Sequence, residues 1–214
     1  MKNKKTILCT FVFIIILLIV LLCFFIKNIY KNKNIGNNMS NKNLEEIEEY
    51  ILDISSYSAT IEVTVESNKN TNKYVLKQVY KKDIMSKQTV LEPSNIEGLE
   101  ILYEQNTLTI NNTKLNLSTV YENYTNLVEN YLWLDSFIQD YNLEKENNNT
   151  SITEENETVI METKTKNGNN KYVYYKQLYF DKETGMPIKL IVQDINQNNL
   201  IYISYNEVTI NSVD

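Results

Sequence analysis

The chain has 214 residues, of which 21 are lysine and 27 are acidic, so its formal net charge is −6. It contains no histidine and no arginine, and its two cysteines, Cys9 and Cys23, both lie in an apolar N-terminal run. These absences exclude, outside that run, a Ser-His-Asp triad, a Cys-His pair, a zinc site with His or Cys ligands and an internal disulfide. The four glycines are not clustered, which excludes a glycine-rich phosphate loop. We expect neither a cofactor nor a metal ion.

Residues 7–26 form the most apolar stretch of the chain. These twenty residues carry no charge, and seventeen of them are Leu, Ile, Val or Phe. A helix that crosses the roughly 30 Å hydrocarbon core of a bilayer needs about 20 such residues. No small-residue cleavage site follows the run, and Cys23 lacks the preceding small residue of a lipoprotein signal. The sequence therefore predicts an uncleaved transmembrane signal anchor at 7–26, after a short cytoplasmic tail at 1–6.

The charge of the remaining chain predicts its location. From residue 34 onward there are fifteen lysines and all 27 acidic residues. Such a domain is repelled by nucleic acid and by anionic phospholipid, and long domains are translocated largely regardless of flanking charge. We predict a single-pass protein of the cell membrane, with a polar linker at 27–42, an extracytoplasmic domain at 43–214 and no nucleic-acid partner.

The first half of this domain is predicted to form one short helix and several strands. Leu44, Ile47 and Ile51 recur at helical spacing, which predicts a helix over 43–54. Apolar and polar residues then alternate, as they do in strands with one buried face. The strands predicted from this alternation are 57–65, 74–81, 84–91, 99–103 and 108–110.

A second, longer helix is predicted next. Thr119 and Glu122 have the spacing of a capping box, and an apolar stripe continues from Tyr124 to Tyr141. A polar, acidic loop is predicted at 142–156. Four further strands are predicted at 157–166, 171–181, 187–194 and 200–210. The segment at 181–185 has the residues of a hairpin turn and lacks the ligand spacing of a calcium loop.

The predicted fold class is α+β. Short connections between about nine strands predict an antiparallel sheet. We expect this sheet to curve as an open half-barrel around the apolar stripe of the long helix, with the short helix beside it. The N-terminal transmembrane helix would precede this domain.

Several short motifs resemble those of the germination lipoprotein (GerS-related) family of spore-forming clostridia. They are YVLK at 74–77, VLEP at 90–93, NIEGLEI at 95–101, NNTKLNL at 111–117, YEN at 121–123, LWL at 132–134, SF at 136–137, YFD at 179–181, TG at 184–185 and Pro187. The resemblance implies a fold like that of the LolA and LolB lipoprotein carriers, an open half-barrel closed by helices. It also implies a role beside a spore-cortex N-acetylmuramoyl-L-alanine amidase. The chain departs from the family name because it has no convincing lipid-bearing cysteine.

Two functional hypotheses follow. In the first, the protein is a membrane-anchored, non-enzymatic binding protein that assists a cell-wall or spore-cortex amidase in sporulation or germination. In the second, it is a carrier that holds the acyl chain of a lipid or lipoprotein in the half-barrel. The residues assigned to an apolar cavity or lid are Leu127, Tyr131, Trp133, Leu134 and Phe137.

A third hypothesis, an enzyme with paired carboxylates, is less favoured because scattered acidic residues are typical of a solvated surface. A filled interior beneath residues 124–138 would favour the binding protein. An enclosed cavity on the order of several hundred cubic ångströms would favour the carrier.

Overall fold

The structure, a computed structural model, describes residues 39–67, 69–124, 131–166 and 170–211. The chain divides into two compact units, residues 1–36 and 37–214, and every described residue belongs to the second unit. Within the described ranges, neither helix has the length and apolarity that a membrane crossing requires. The anchor predicted at 7–26 and most of the linker predicted at 27–42 lie outside these ranges.

One antiparallel sheet of eleven strands makes up most of the described chain. Strands β1 to β6 pair with their neighbours in sequence, and strands β7 to β11 do the same. Pairing of β1 with β11 joins the two halves, so β6 and β7 are the two edges of the sheet. The strands are β1 (Ser56–Glu66), β2 (Thr71–Lys81), β3 (Met85–Glu92), β4 (Leu99–Glu104), β5 (Thr107–Asn112), β6 (Leu117–Tyr121), β7 (Thr150–Glu155), β8 (Thr158–Lys164), β9 (Tyr175–Asp181), β10 (Met186–Gln193) and β11 (Asn199–Ile210).

Two helices, α1 (Leu44–Leu52) and α2 (Leu134–Lys145), accompany the sheet in the described ranges. The first confirms the helix predicted from the spacing of apolar residues. Asn43 caps α1, because its side chain accepts a hydrogen bond from the Glu46 N–H and the Glu46 carboxylate accepts one from the Asn43 N–H. The buried residues of α1 include Ile47 and Ile51, so its apolar stripe faces the core as predicted.

The predicted fold class, α+β with about nine strands and one long helix, is wrong. The described chain is mostly sheet, and among the described residues of the predicted long helix only those from Leu134 onward are helical, in α2. The two strands that were not predicted are the edges. Thr119, predicted to cap the long helix, lies in β6 opposite Ile110, and Ile152, predicted in a loop, lies in β7 opposite Met161. Edge strands pair on one side only and stay exposed, so they lack the clear apolar alternation of inner strands.

The core lies between the helices and one face of the sheet, here called the helix face. On β1 the side chains of Tyr57, Ala59, Ile61 and Val63 alternate into this core and are at most 2% exposed, which confirms the predicted alternation. Helices α1 and α2 pack on each other and on β7, and α2 also packs on β8. Other residues of the same core are Leu76, Leu134, Phe137, Val159, Met161, Leu178, Phe180, Leu190 and Ile203.

Strands β4, β5 and β6, here called the arm, lie toward the opposite edge of the sheet. Among the described residues, neither helix packs on the arm to a comparable extent. The register places Gln88 opposite Ile101, and Ile101 opposite Ile110, so the helix face continues onto the arm. Its apolar and aromatic side chains, here called the arm face, are Leu99, Ile101, Tyr103, Leu108, Ile110, Leu117 and Tyr121.

The turn between β9 and β10 confirms the predicted hairpin. The Asp181 carboxylate accepts hydrogen bonds from the Thr184 N–H at 2.6 Å and from the Thr184 hydroxyl at 2.7 Å. Gly185 follows with φ of +68°, and a Cβ there would come within 2.9 Å of the Met39 methyl carbon. The left-handed backbone therefore favours glycine, and a larger residue would also displace the end of the buried Met39 side chain.

Candidate functional site

Hydrogen bonds tie the start of α2 to the sheet. The Leu134 N–H donates to the Tyr57 hydroxyl at 3.2 Å, and this hydroxyl donates to Gln78 Oε1 at 3.1 Å. The Gln78 amide Nε2 donates to Gln88 Oε1 at 3.1 Å and to the Leu132 carbonyl at 3.3 Å. Because the first N–H groups of a helix have no partner within the helix, the Tyr57 hydroxyl acts as a cap supplied by the sheet.

Three aromatic rings surround this network. The ring centroid of Trp133 lies 6.3 Å from that of Tyr57 and 6.2 Å from that of Tyr80, and the two tyrosine rings are 5.6 Å apart. Burial raises the pKa of Tyr57 well above its usual value. Burial, followed by a hydrogen bond with Asp135, also raises the pKa of Tyr80. Both phenols stay protonated at physiological pH, so they serve as hydrogen-bonding groups and not as general bases.

A buried ion pair attaches the middle of α2 to β9. The side chains of Lys176 and Asp140 are both 0% exposed, and Nζ lies 2.6 Å from Oδ2. The ammonium also donates to the Ser136 carbonyl at 3.1 Å and to its hydroxyl at 2.7 Å, and lies 5.3 Å from the centre of the Tyr131 ring. Asp140 Oδ1 accepts the Lys166 N–H at 3.1 Å. The lysine is fully buried, so a substrate cannot reach it. Its contacts with Asp140 and Ser136 hold α2 against the sheet.

A third polar contact joins the end of α2 to α1. Glu48 accepts a hydrogen bond from the Tyr141 hydroxyl and another from Lys145 Nζ, each at 2.7 Å. Burial, followed by the hydrogen bond to Glu48, raises the pKa of Tyr141. Helix α2 is therefore held at its start, its middle and its end.

The residues predicted for an apolar cavity or lid have different environments. Leu134 and Phe137 are fully buried in the core. Trp133 is partly buried in the aromatic cluster, and Tyr131 lies beside the buried ion pair. Leu127 lies outside the described residues. The structure therefore brings four of the five to α2 and its start, and their part in an acyl-binding cavity stays a prediction.

The polar residues that hold α2 were missed by the sequence reasoning. Lys176 occupies an inward position of β9, on the same buried face of the strand as Leu178 and Phe180. A charged residue in such a position signals a buried ion pair, because charged side chains are almost never fully buried alone. The partner, Asp140, lies on another element, so its identity depends on the packing.

The arm face is the candidate binding surface. Leu117 is 62% exposed and Tyr121 is 49% exposed, while the remaining side chains of the arm face are half-buried. Contiguous exposed apolar groups on a soluble domain mark an interaction site or a ligand-binding groove. Tyrosine is also enriched in the cores of protein interfaces.

A groove along α1 is less suited to an apolar ligand. It is open, has a volume of about 430 Å³ and is lined by Lys42, Glu46, Glu49, Tyr50 and Asp53. Four of these five side chains are charged, which is typical of a solvated helix surface. Across the part of the chain that the structure describes, no three His, Cys, Asp or Glu side chains are grouped to hold a metal ion.

The fold and the arm face define a class of protein built on one antiparallel sheet, with an apolar surface on an arm that neither described helix covers. The sequence profile of the sporulation protein YdcC-like family matches residues 3–213. The chain therefore belongs to this sporulation family. This family membership confirms the resemblance to sporulation proteins that the motifs predicted.

Solved structures similar to this chain come from several bacteria. A chain in the structure of the CwlD amidase from Clostridioides difficile in complex with the GerS lipoprotein matches with 27% identity and a TM-score of 0.48, over 76% of this chain and 91% of that chain. The LolA superfamily protein NE2245 from Nitrosomonas europaea matches with 9% identity and a TM-score of 0.39, over 80% and 94%. An uncharacterized conserved protein from Thermus thermophilus matches with 10% identity and a TM-score of 0.48, over 79% and 88%. The curated proteins contain no match.

Proposed function

We propose that this protein is a non-enzymatic binding protein of sporulation that engages a protein partner through the arm face. The observation that carries the proposal is the contrast between a helix held by buried polar contacts and an apolar arm face that neither described helix covers. The family supports the connection to sporulation. The binding surface is present without any movement of α2.

The energetics favour a fixed helix over a movable lid. Lifting α2 would break the hydrogen bonds from the Leu134 N–H to the Tyr57 hydroxyl and from the Gln78 amide to the Leu132 carbonyl, at about 1–3 kcal/mol for each group left without a partner. It would also break the buried pair of Lys176 and Asp140, where loss of one partner costs about 3–5 kcal/mol. These costs together approach the total stability of a typical domain, about 5–15 kcal/mol. A preformed surface avoids them.

We propose a cell-wall or spore-cortex amidase as the partner. The support is the set of motifs that resemble the germination lipoproteins. The proposed location is the extracytoplasmic side of the cell membrane, where the apolar run at 7–26 would anchor the chain.

The partner is tested with the full-length protein in detergent and purified amidases of the same sporulating organism. We expect one amidase to bind, and Leu117→Asp to weaken this binding at least about tenfold because it places a charge on the arm face. Leu143→Asp is the matched control, since Leu143 is 52% exposed on α2, away from the arm. Failure of every amidase to bind, or equal binding by the two variants, would contradict the proposal.

The carrier is the second candidate, because an acyl chain could also lie along the apolar arm face. A fluorescent fatty acid added to the same protein distinguishes the two functions. The carrier would be favoured by two results together. The probe would bind saturably to the wild type and not to Leu117→Asp, and amide hydrogen exchange would be faster in α2 than in β1. For a binding protein we expect α2 and β1 to exchange at similarly slow rates.

A further inference from the structure

The two edges of the sheet differ in how they are protected. Strand β7 carries Glu154 and Glu155, both helices pack on it, and Glu154 pairs with Lys182 at 2.7 Å. Strand β6, Leu117–Tyr121, has no charged residue and every one of its five side chains is exposed. Proteins commonly protect edge strands with charges, proline, bulges or a covering element. Charge and a covering helix protect β7, whereas among the described residues neither protects β6.

We propose that β6 accepts an extended segment of the protein partner, which adds to the sheet as a further antiparallel strand. This inference rests on the proposed function and specifies how the partner docks. The outer side of an edge strand presents N–H and C=O groups that have no neighbouring strand, and backbone hydrogen bonds to an added strand satisfy them. Only an extended peptide backbone matches this row of alternating donors and acceptors.

The side chains of β6 specify the faces of the added strand. Leu117, Thr119 and Tyr121 lie on the helix face, and Ser118 and Val120 lie on the opposite face. A strand paired with β6 would place alternate side chains beside Leu117 and Tyr121, where apolar groups extend the arm face. The partner segment is therefore an alternating sequence with one apolar side.

Charge specifies the direction and distinguishes the partner from a second copy. At the end of the arm where β6 finishes, Glu104 and Glu122 are exposed and form no ion pair with a described residue. At the other end, Lys114 is already paired with Glu97 at 2.6 Å. An antiparallel segment with Lys or Arg at its N-terminal end would complement the two exposed carboxylates. A second copy of β6, paired antiparallel, would place its Lys114 toward Glu122, but that lysine is already paired with its own Glu97.

The test uses the full-length protein in detergent and the synthetic peptide acetyl-Lys-Val-Thr-Val-Thr-Val-amide. We expect saturable binding, with slower amide hydrogen exchange in residues 117–121 and no change in residues 150–155. The same peptide with alternate amides N-methylated should not bind, because it cannot donate the backbone hydrogen bonds. Val120→Lys, which places a protecting charge on this edge, should weaken binding at least about tenfold. Thr153→Lys, the matched change on β7, should leave binding unchanged.

The outcomes separate this inference from the proposed function. Strand addition by a partner would be overturned if no peptide bound, or if the methylated peptide bound as well as the unmethylated one. It would also be overturned if β6 became protected from exchange on raising the protein concentration alone, which would favour a second copy. If an amidase binds the wild type and Val120→Lys equally, the inference fails while the proposed function stands. If no amidase binds but the peptide does, strand addition stands and the proposed partner fails.

Discussion

The hydroxyl of Tyr57 connects two elements that are distant in sequence. It accepts the Leu134 N–H at the start of α2 and donates to Gln78 on β2, so one buried oxygen satisfies a donor and an acceptor. The ring is 1% exposed and also packs against Trp133. A residue with this many buried contacts is sensitive to the loss of a single atom.

We expect Tyr57→Phe to lower the free energy of unfolding by about 1–3 kcal/mol, because two buried polar groups lose their partner. Urea unfolding followed by circular dichroism measures this as a lower midpoint at unchanged slope. Tyr121→Phe is the control, since its ring is 49% exposed, and we expect a change within about 0.5 kcal/mol. Equal losses in the two variants would show that the hydroxyl network does not stabilise the fold.

At the scale of elements, α2 is less amphipathic than α1, yet buried polar contacts attach it to the sheet. Its buried positions include the polar residues Ser136 and Asp140 as well as Phe137 and Tyr141. The ion pair with Lys176 replaces apolar packing at this point, and a buried charge of this kind needs its partner in place. The attachment of α2 therefore depends on polar contacts more than that of α1 does.

We expect Lys176→Met to lower the free energy of unfolding by about 3–5 kcal/mol, because Asp140 would stay buried without its cation. The double variant Lys176→Met with Asp140→Leu should recover part of this loss. Lys182→Met removes a partly exposed pair with Glu154 and should cost no more than about 1 kcal/mol. Thermal and urea unfolding of the four proteins measure the differences. If the Lys176 and Lys182 variants lost the same stability, the buried pair would not hold α2.

For the whole molecule, the fold buries several tyrosines. Burial raises the pKa values of Tyr57 and Tyr205. Burial, followed by the hydrogen bond to Glu48, raises the pKa of Tyr141. In the unfolded chain a tyrosine loses its proton near pH 10. Above that pH the unfolded chain binds fewer protons than the folded protein, so the stability from these groups is complete below about pH 10 and is lost as the pH rises.

Urea unfolding at increasing alkaline pH and constant ionic strength should therefore show a falling midpoint above about pH 10. Ultraviolet absorbance of tyrosinate should rise further when the protein unfolds. Tyr205→Phe tests the cause, because the Tyr205 hydroxyl is buried and has no hydrogen-bond partner among the described residues. We expect this variant to lose less stability with pH than the wild type. A midpoint that did not change with alkaline pH would contradict the assignment.

The sequence by itself determined the features that neighbouring residues encode. Asn43 and Glu46 specify the start of α1, and the alternation on β1 specifies a strand with one buried face. Asp181 and Gly185 specify a hairpin turn. The short motifs, which consist of neighbouring residues at packing positions and turns, predicted the connection to sporulation proteins.

Only the tertiary structure decided the number of strands, the edges and the candidate binding surface. Pairing of β1 with β11, which defines the order of the sheet, joins the two ends of the domain, and no local pattern encodes that contact. Thr119 was assigned to a helix because its spacing from Glu122 suits a cap, whereas pairing with Ile110 places it in a strand. Likewise, Lys176 and Asp140 are brought together only by packing of α2 on the sheet. Contacts between distant residues outweigh local propensity at these positions, so the arm face and its open edge become visible only in the folded protein.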